Sequence, residues 1–483
     1  MRAFHGLHET LVAHVAFPVT NFLFNRSGIR QYFHESLESE HANPQDLKDR
    51  QLRQFRQVIA HARQWCDFYA RRFREIGLQS PEEIRTFDDI QRIPPLSRQE
   101  VVEYYREMVD RRYATSIASA DRAGNAPGAP AFLARFQRYP LVRNTSSGST
   151  GSPVVCFEDG STTARSWAHE MRLKHWFQVA PGAREMRFAR ISTDYPPSAP
   201  TMLLRRLLWN QCIVPGVNLR TNDFEICSKK LLEFQPEVLW GFTSAIAGLA
   251  NHLKDTNQTL GDYRPRLIIT WAAPLYPQEE RLLREVFQCP VTNLYGMREV
   301  GHIAARCPEG QLHINMEHLY LETESPTESE EETEELLVTS LWESPMPFIR
   351  YRTGDLGRVT PSTCACGRTL ETIANFLGRT GEVFKTRDGR LISPNFWCRC
   401  FMDHQRSRAV RRFQIVYTQD QNIRIRLQRG EAFNPQSEAQ IREFLKTNLG
   451  EATGVRFEYV DDIPLHTSGK YQMVVNENLN NRG

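Results

Sequence analysis

The chain has 483 residues, 40% hydrophobic and 24% charged, which exceeds one ordinary core and predicts at least two domains of a soluble globular protein. With 60 basic and 57 acidic residues the formal charge is only +3, so there is no electrostatic case for a nucleic-acid partner. Ten cysteines with no export signal point to a reducing, cytoplasmic setting rather than a disulfide framework.

Met1 to Asn25 mixes Phe17, Phe22, Leu23 and Phe24 with His, Arg, Glu and Asn, too short and interrupted an apolar run for a transmembrane segment. It reads as an amphipathic segment packing on its own protein, with membrane-surface anchoring as the unsupported alternative. From Gln45 to Phe73, Leu47, Leu52, Phe55, Val58, Ile59, Ala62 and Trp65 recur at helical spacing. Ser97 with Glu100 three residues on predicts a capped helix start. Ala123 to Ala131, rich in Ala, Gly and Pro, reads as a surface loop.

A helix is expected over Thr162 to Gln178. Beyond it, apolar runs at 213–215, 238–241, 267–270 and 291–295 alternate with helical stretches at 223–234, 244–253 and 278–287. Such alternation predicts an α/β fold with a parallel-rich sheet, whose ligands sit at the carboxyl ends of the strands. From His313 the texture becomes strand-rich, with a hairpin expected across the acidic tract Glu322 to Glu335. The last hundred residues read as a smaller α+β unit. The expected division is a large domain over 1–378, strand-rich at about 313–378, and a small mobile C-terminal domain over 379–483.

Residues 143–153 run Arg-Asn-Thr-Ser-Ser-Gly-Ser-Thr-Gly-Ser-Pro. Glycines let backbone N–H groups turn inward and the hydroxyls add donors, so this loop can wrap a phosphate chain. Without a Gly-Lys-Ser/Thr ending it is no Walker loop, and a solvated linker is the competing reading. Four further stretches follow in order: Leu294-Tyr295-Gly296-Met297-Arg298-Glu299, then Phe348 to Leu356 with Arg352-Thr353-Gly354-Asp355. After these come Leu377-Gly378-Arg379-Thr380-Gly381-Glu382, and Ile463-Pro464-Leu465-His466-Thr467-Ser468-Gly469-Lys470. Each is weak alone; the ordered set is specific.

Together the five stretches resemble the adenylate-forming superfamily over about residues 45–475. Ile59-Ala60-His61-Ala62, Pro94-Pro95-Leu96-Ser97-Arg98 and Cys364-Ala365-Cys366-Gly367-Arg368 are similar to the branch of phenylacetate–CoA ligases, coenzyme F390 synthetases and CapK-type proteins. The resemblance implies an AMP-forming acid–thiol ligase. ATP and a small carboxylic acid would give an acyl-adenylate and pyrophosphate, and the acyl group would pass to CoA or a carrier-protein thiol. It further implies that Thr145, Ser146, Ser147, Gly148, Ser149, Thr150 and Gly151 hold the β- and γ-phosphates. Tyr295 would stack on adenine beside Gly296, Asp355 would accept from the ribose hydroxyls, and Arg379 would orient the nucleotide. Glu299 would ligate Mg²⁺, and Lys470 would meet the charge building at the α-phosphate.

Three departures from the family pattern stand out. Met297-Arg298 replace a small and a hydroxyl residue at the AMP phosphate, where Arg298 would either supply a charge or mark an altered second step. Gly381 takes the hinge position. Thr270-Trp271-Ala272-Ala273-Pro274 replaces a glycine–acidic turn beside the adenine and acyl carbonyl, so Ala273, just before Pro274, should crowd that approach more than glycine does. An amide ligase using an amine acceptor, or a non-catalytic homologue, are the alternative functions.

Cys307, His313, Cys364 and Cys366 form a Cys₃His set suited to structural Zn²⁺, with unrelated reduced thiols as the other reading. Cys398 and Cys400 read as packing residues. His5, His8, His14, His169 and His302 read as surface or satisfied core histidines. Trp240 to Ser244 lines either an acyl pocket or the core.

Overall fold

The computed structural model describes residues 8–16, 19, 28–117, 141–145, 154–189, 199–217, 219, 221–324, 334–379, 384–385, 391–392, 396–397, 400–401, 409–418, 420, 422–449, 454–463 and 471–477. The helical period of the N-terminal region yields two helices, Pro44–Trp65 and Asp67–Glu75. Cys66 separates them in an extended conformation, while Phe68 and Tyr69 keep the apolar face buried across the break. At Ser97 the expected capping box closes: its side chain takes the Glu100 N–H and the Glu100 carboxylate takes the Ser97 N–H, opening the helix Arg98–Met108.

Two short strands, β1 (Val142–Thr145) and β2 (Val155–Glu158), pair antiparallel with Thr145 opposite Val155, so they bring the two ends of the hydroxyl–glycine loop together. After the helix Gly160–Trp176 comes β3 (Glu185–Ala189), a strand the apolar pattern does not announce, and then the predicted alternation as β4 (Gln211–Pro215), β5 (Val238–Phe242), β6 (Leu267–Trp271) and β7 (Val291–Met297). All neighbours among these five are parallel. The apolar runs of β5 and β6 are continuous because both faces are covered: Val238, Trp240, Leu267 and Ile269 face one core cluster, Leu239 and Ile268 the other.

The strand-rich part continues the same sheet. β8 (Gly301–Arg306) folds back on β7, followed in space by β9 (Leu312–Ile314), β13 (Thr372–Arg379), β12 (Tyr351–Thr360), β11 (Glu334–Ser340) and β10 (Leu319–Glu324), antiparallel throughout. The result is an eleven-stranded sheet whose direction switches at β7–β8. β10 and β11 pair as the hairpin expected around the acidic tract, Glu324 opposite Glu335.

The two-residue strands β14 (Phe384–Lys385) and β15 (Leu391–Ile392) pair with each other. A separate C-terminal sheet holds β16 (Val410–Tyr417), β17 (Ile423–Arg429), β18 (Val455–Tyr459) and β19 (Val474–Asn476) in the order β18-β17-β16-β19. Phe413, Ile415, Ile425, Leu427 and Ile441 of the helix Pro435–Leu449 build its own core, into which Cys400 packs and Tyr276 of the larger body reaches. Arg411 pairs with Asp255 at 2.7 Å between the two.

Candidate functional site

β7 leaves the parallel sheet at Tyr295-Gly296-Met297 and turns straight back as β8. A Cβ on Gly296 would lie 2.6 Å from the Gly301 carbonyl oxygen, so this turn admits no side chain there. Tyr295 is buried with its ring 4.6 Å from that of Phe376, and its hydroxyl donates to Asp355 Oδ2 at 2.8 Å. Burial, then the neighbouring Asp355 carboxylate, pushes the phenol well above its usual range, so it stays a donor.

Asp355 lies on β12 directly across from Arg379 on β13, and the guanidinium Nε is 3.8 Å from Asp355 Oδ1. The Asp355 N–H donates to Thr353 Oγ1 (3.0 Å), whose hydroxyl donates to the Leu336 carbonyl (2.9 Å). Both ends of the aspartate are therefore fixed by the protein itself. Glu299 sits just beyond the Gly296 turn, buried, with the Tyr351 hydroxyl 3.4 Å from its Oε1. Burial raises its pKa, opposed by the positive charges of Arg98 and Arg379. A buried carboxylate of this kind is a fitting ligand for a hard cation.

Tyr295, Glu299, Asp355 and Arg379 are thus gathered in one place by β7, β12 and β13. Gly296 is exposed at the turn, Met297 packs half-buried on the core, and the Arg298 side chain is exposed while its carbonyl accepts from the Cys156 thiol. In the Ala272-Ala273-Pro274 turn Ala272 carries φ +68°, the left-handed conformation that glycine takes more easily. The Ala273 carbonyl is held by Asn293 Nδ2 (3.2 Å) and Thr243 Oγ1 (3.4 Å). Thr145 is at the end of β1. Ser146, Ser147, Gly148, Ser149, Thr150, Gly151, Gly381 and Lys470 lie outside the described residues.

Three neighbours of this cluster are not assigned from sequence. Arg98 comes within electrostatic range of Glu299 because Leu96 bridges to Tyr351, with Leu96 N–H on the Arg350 carbonyl (2.8 Å). Arg350 secures that bridge: its guanidinium binds Glu322 (2.9 Å) and the Ile93 carbonyl (2.6 Å). Asn293 is the third, bridging β6 and the Ala273 turn. The Pro94–Arg98 motif is visible in sequence, but its partner is more than 200 residues away.

At the other end of the β12–β13 hairpin, Cys307, His313, Cys364 and Cys366 place their ligand atoms within 4.8 Å of one another. The pairing of β13 with β9, Thr372 opposite His313, joins the two sequence halves. Cys307 Sγ is 3.6 Å from Cys364 Sγ, and Cys366 Sγ is 3.2 Å from His313 Nε2. His313 Nδ1 lies 3.0 Å from the Leu370 carbonyl, which only accepts, so Nδ1 carries the proton and Nε2 faces the thiols. Among the histidines expected to be surface or satisfied core residues, His302 Nδ1 contacts the Ser166 carbonyl, whereas His169 is buried with Nε2 against His318 and its Nδ1 without a hydrogen-bond partner.

The CapK C-terminal domain family matches residues 384–477. Protein CapK of Staphylococcus aureus is 22% identical over 92% of this chain and 92% of its own length. Phenylacetate–coenzyme A ligase of Pseudomonas putida is 24% identical over 72% and 74% of the two chains. Among solved structures, a 2-hydroxyisobutyryl-CoA ligase in its postadenylation state with R3-HIB-AMP superposes with a TM-score of 0.69 at 18% identity, covering 91% of each chain. With the ordered motifs and the fold in agreement, the chain is similar to the CapK-like and phenylacetate–CoA ligase branch of the adenylate-forming superfamily.

Proposed function

We propose that the protein is an AMP-forming acid–thiol ligase. The observation that carries this reading is the cluster of Tyr295, Asp355, Arg379 and Glu299 at the end of the parallel strands, where open α/β sheets bind ligands. The relatives, phenylacetate–CoA ligases among them, support it. In the first step a carboxylate oxygen attacks the α-phosphorus and the bond to pyrophosphate breaks. In the second, a thiolate of CoA or a carrier protein attacks the acyl carbonyl and AMP leaves.

Residues 1–378 would bind ATP and the acid, and residues 379–483 would deliver Lys470 to the α-phosphate. Asp355, fixed beforehand by Tyr295 and Thr353, accepts from the ribose hydroxyls without reorganising. Tyr295 contributes the adenine contact, Arg379 steers the nucleotide, and Thr145 with the following loop takes the terminal phosphates. Glu299 would hold the Mg²⁺ that screens the triphosphate charge. Cys307, His313, Cys364 and Cys366 would hold a structural Zn²⁺, since their donors converge and His313 presents Nε2.

Carboxylate-dependent pyrophosphate exchange, run over aromatic and medium-chain acids, tests the reading. Exchange with at least one acid is expected, with Lys470→Ala and Asp355→Asn strongly impaired. No exchange with any acid, together with no ATP binding by calorimetry, removes it.

A further inference from the structure

Nine large apolar side chains are exposed among the described residues, and five of them lie on two helices that pack on each other: Leu11 and Val15 on the N-terminal helix (residues 8–16), and Leu203, Leu204 and Leu207 on the helix Ala199–Trp209. The N-terminal helix is well seated. Val12 is buried, His8 Nε2 contacts the Leu207 carbonyl at 3.1 Å, and Glu9 faces Arg184 at 3.6 Å. The Glu9 carbonyl oxygen occupies the space of a Cβ on Gly182. So its inner face is satisfied and the apolar residues left outside are surplus to the fold. On the second helix Leu203, Leu204 and Leu207 fall at i, i+1 and i+4, one face.

Charge indicates what covers this face. By sequence, residues 1–30 and 199–210 hold five arginines and one glutamate, leaving 55 basic and 56 acidic residues elsewhere out of 60 and 57 in all. In the structure Arg205 and Arg206 are exposed on the same helix as Leu203, Leu204 and Leu207, and that helix, Ala199–Trp209, carries no acidic residue. Apolar residues rimmed by arginine suit a surface with a hydrocarbon interior and anionic headgroups. A second copy of the chain would bring like charges together, which disfavours that occupant. No helix among the described residues is long and apolar enough to cross a membrane, so the contact is with a surface.

We propose that the paired helices, residues 8–16 and Ala199–Trp209, dock the protein on an anionic lipid surface. This stands independently of the ligase reading. Leucine and valine side chains enter the headgroup boundary while Arg205 and Arg206 meet lipid phosphates.

Flotation of the full-length protein with vesicles tests it, comparing pure phosphatidylcholine with phosphatidylcholine mixed with phosphatidylglycerol. Wild type is expected to float with the mixed vesicles and far less with the neutral ones. The variant L203S/L204S/L207S should lose at least ~10-fold in bound fraction with an unchanged melting temperature, since those side chains are exposed in the fold. L11S/V15S provides the same test from the other helix. R205Q/R206Q should lose most of the preference for anionic vesicles, on the order of 10-fold at low salt. Absence of flotation with either vesicle, or undiminished flotation of both apolar variants, overturns the proposal. So does a dimer in sedimentation velocity that L203S/L204S/L207S dissolves, which would assign the face to a second copy.

Discussion

The β12–β13 hairpin carries a different kind of site at each end. Asp355 and Arg379 lie at one end, where every strong polar partner is supplied by the chain: a phenol at 2.8 Å on Oδ2 and a threonine hydroxyl under the backbone N–H. Cys364 and Cys366 lie in the connection at the other end, facing Cys307 and His313. There the mutual contacts are a sulfur–sulfur distance of 3.6 Å and a sulfur–nitrogen distance of 3.2 Å, and thiols are weak donors and acceptors. The carboxylate end is thus organised before any ligand arrives, as a site that must stabilise charge in a reaction should be. The thiol end gathers groups that gain little from one another, as a site built for an ion would. One hairpin joins a preorganised carboxylate end to an end where four potential metal ligands converge.

The largest effect that would sharpen this contrast is loss of the proposed ion. One zinc per chain is expected by elemental analysis, absent in Cys366→Ser. Because metal binding energy is folding energy, chelation or Cys364→Ser should lower Tm by roughly 10 °C or more. Metal-free protein with an unchanged Tm would break the comparison, leaving the four residues as ordinary reduced thiols.

At the carboxylate end the expectation reverses, with function lost and stability kept. Asp355→Asn keeps an oxygen that accepts from Tyr295 but loses the charge that strengthens bonds to the ribose hydroxyls. kcat/KM for ATP should fall roughly 100-fold, about 3 kcal/mol, with Tm changed by no more than about 2 °C. A large Tm loss with catalysis intact would show that Asp355 is a packing element.

A smaller effect is expected of the residue that holds Asp355 in place. Tyr295→Phe removes one hydroxyl and frees Oδ2, costing about 1 kcal/mol. KM for ATP should rise roughly 5-fold with kcat little changed, because the lost interaction acts in the ground and transition states alike. A fall in kcat at unchanged KM would instead place the hydroxyl at the reacting atoms.

How much of this was legible in the sequence follows from which interactions are local. β4 to β7 are readable because strands buried on both faces leave apolar runs, as in Leu267 to Thr270, whereas β3 is not, because Glu185 and Arg187 interrupt it. Ser97 and Glu100 are readable because a capping box spans four residues. The motif residues Tyr295, Asp355 and Arg379 are visible as sequence stretches, and so are the four metal-binding candidates. The contacts that join them are not. Asp355 meets Arg379 only through the register of β12 with β13, and His313 meets Cys366 only through β9 pairing with β13. Arg98 stands near Glu299 because Leu96 bridges to Tyr351, a pairing no local pattern announces. The helix break at Cys66 escapes notice because the buried face continues through Phe68 and Tyr69, so the periodicity carries straight across. The exposed leucines at 203, 204 and 207 keep helical spacing too, and periodicity alone does not say which apolar face ends up outside.

The smallest effect compares how the two ends respond to acid. Burial raises the folded-state pKa of Glu299 above its ordinary 4.5. A carboxyl raised in this way binds its proton more tightly folded than unfolded. The stability it contributes is complete below the unfolded value and is lost as the pH climbs through the folded one. Free of nucleotide and Mg²⁺, wild type should therefore lose stability relative to Glu299→Gln as the pH rises from about 4.5 toward neutrality. The thiol end should behave oppositely if it holds zinc, because protons compete with the ion for sulfur and imidazole, so acid weakens it. Melting temperatures of wild type, Glu299→Gln and Cys366→Ser across that range separate the two. The wild-type and Glu299→Gln curves should converge in acid, and adding Mg²⁺-ATP should remove their separation near neutrality by supplying the positive charge that the buried carboxylate lacks. Parallel curves across the whole range would mean that Glu299 titrates as it does in the unfolded chain, and the carboxylate end would lose its claim to being a dry, preorganised cation site.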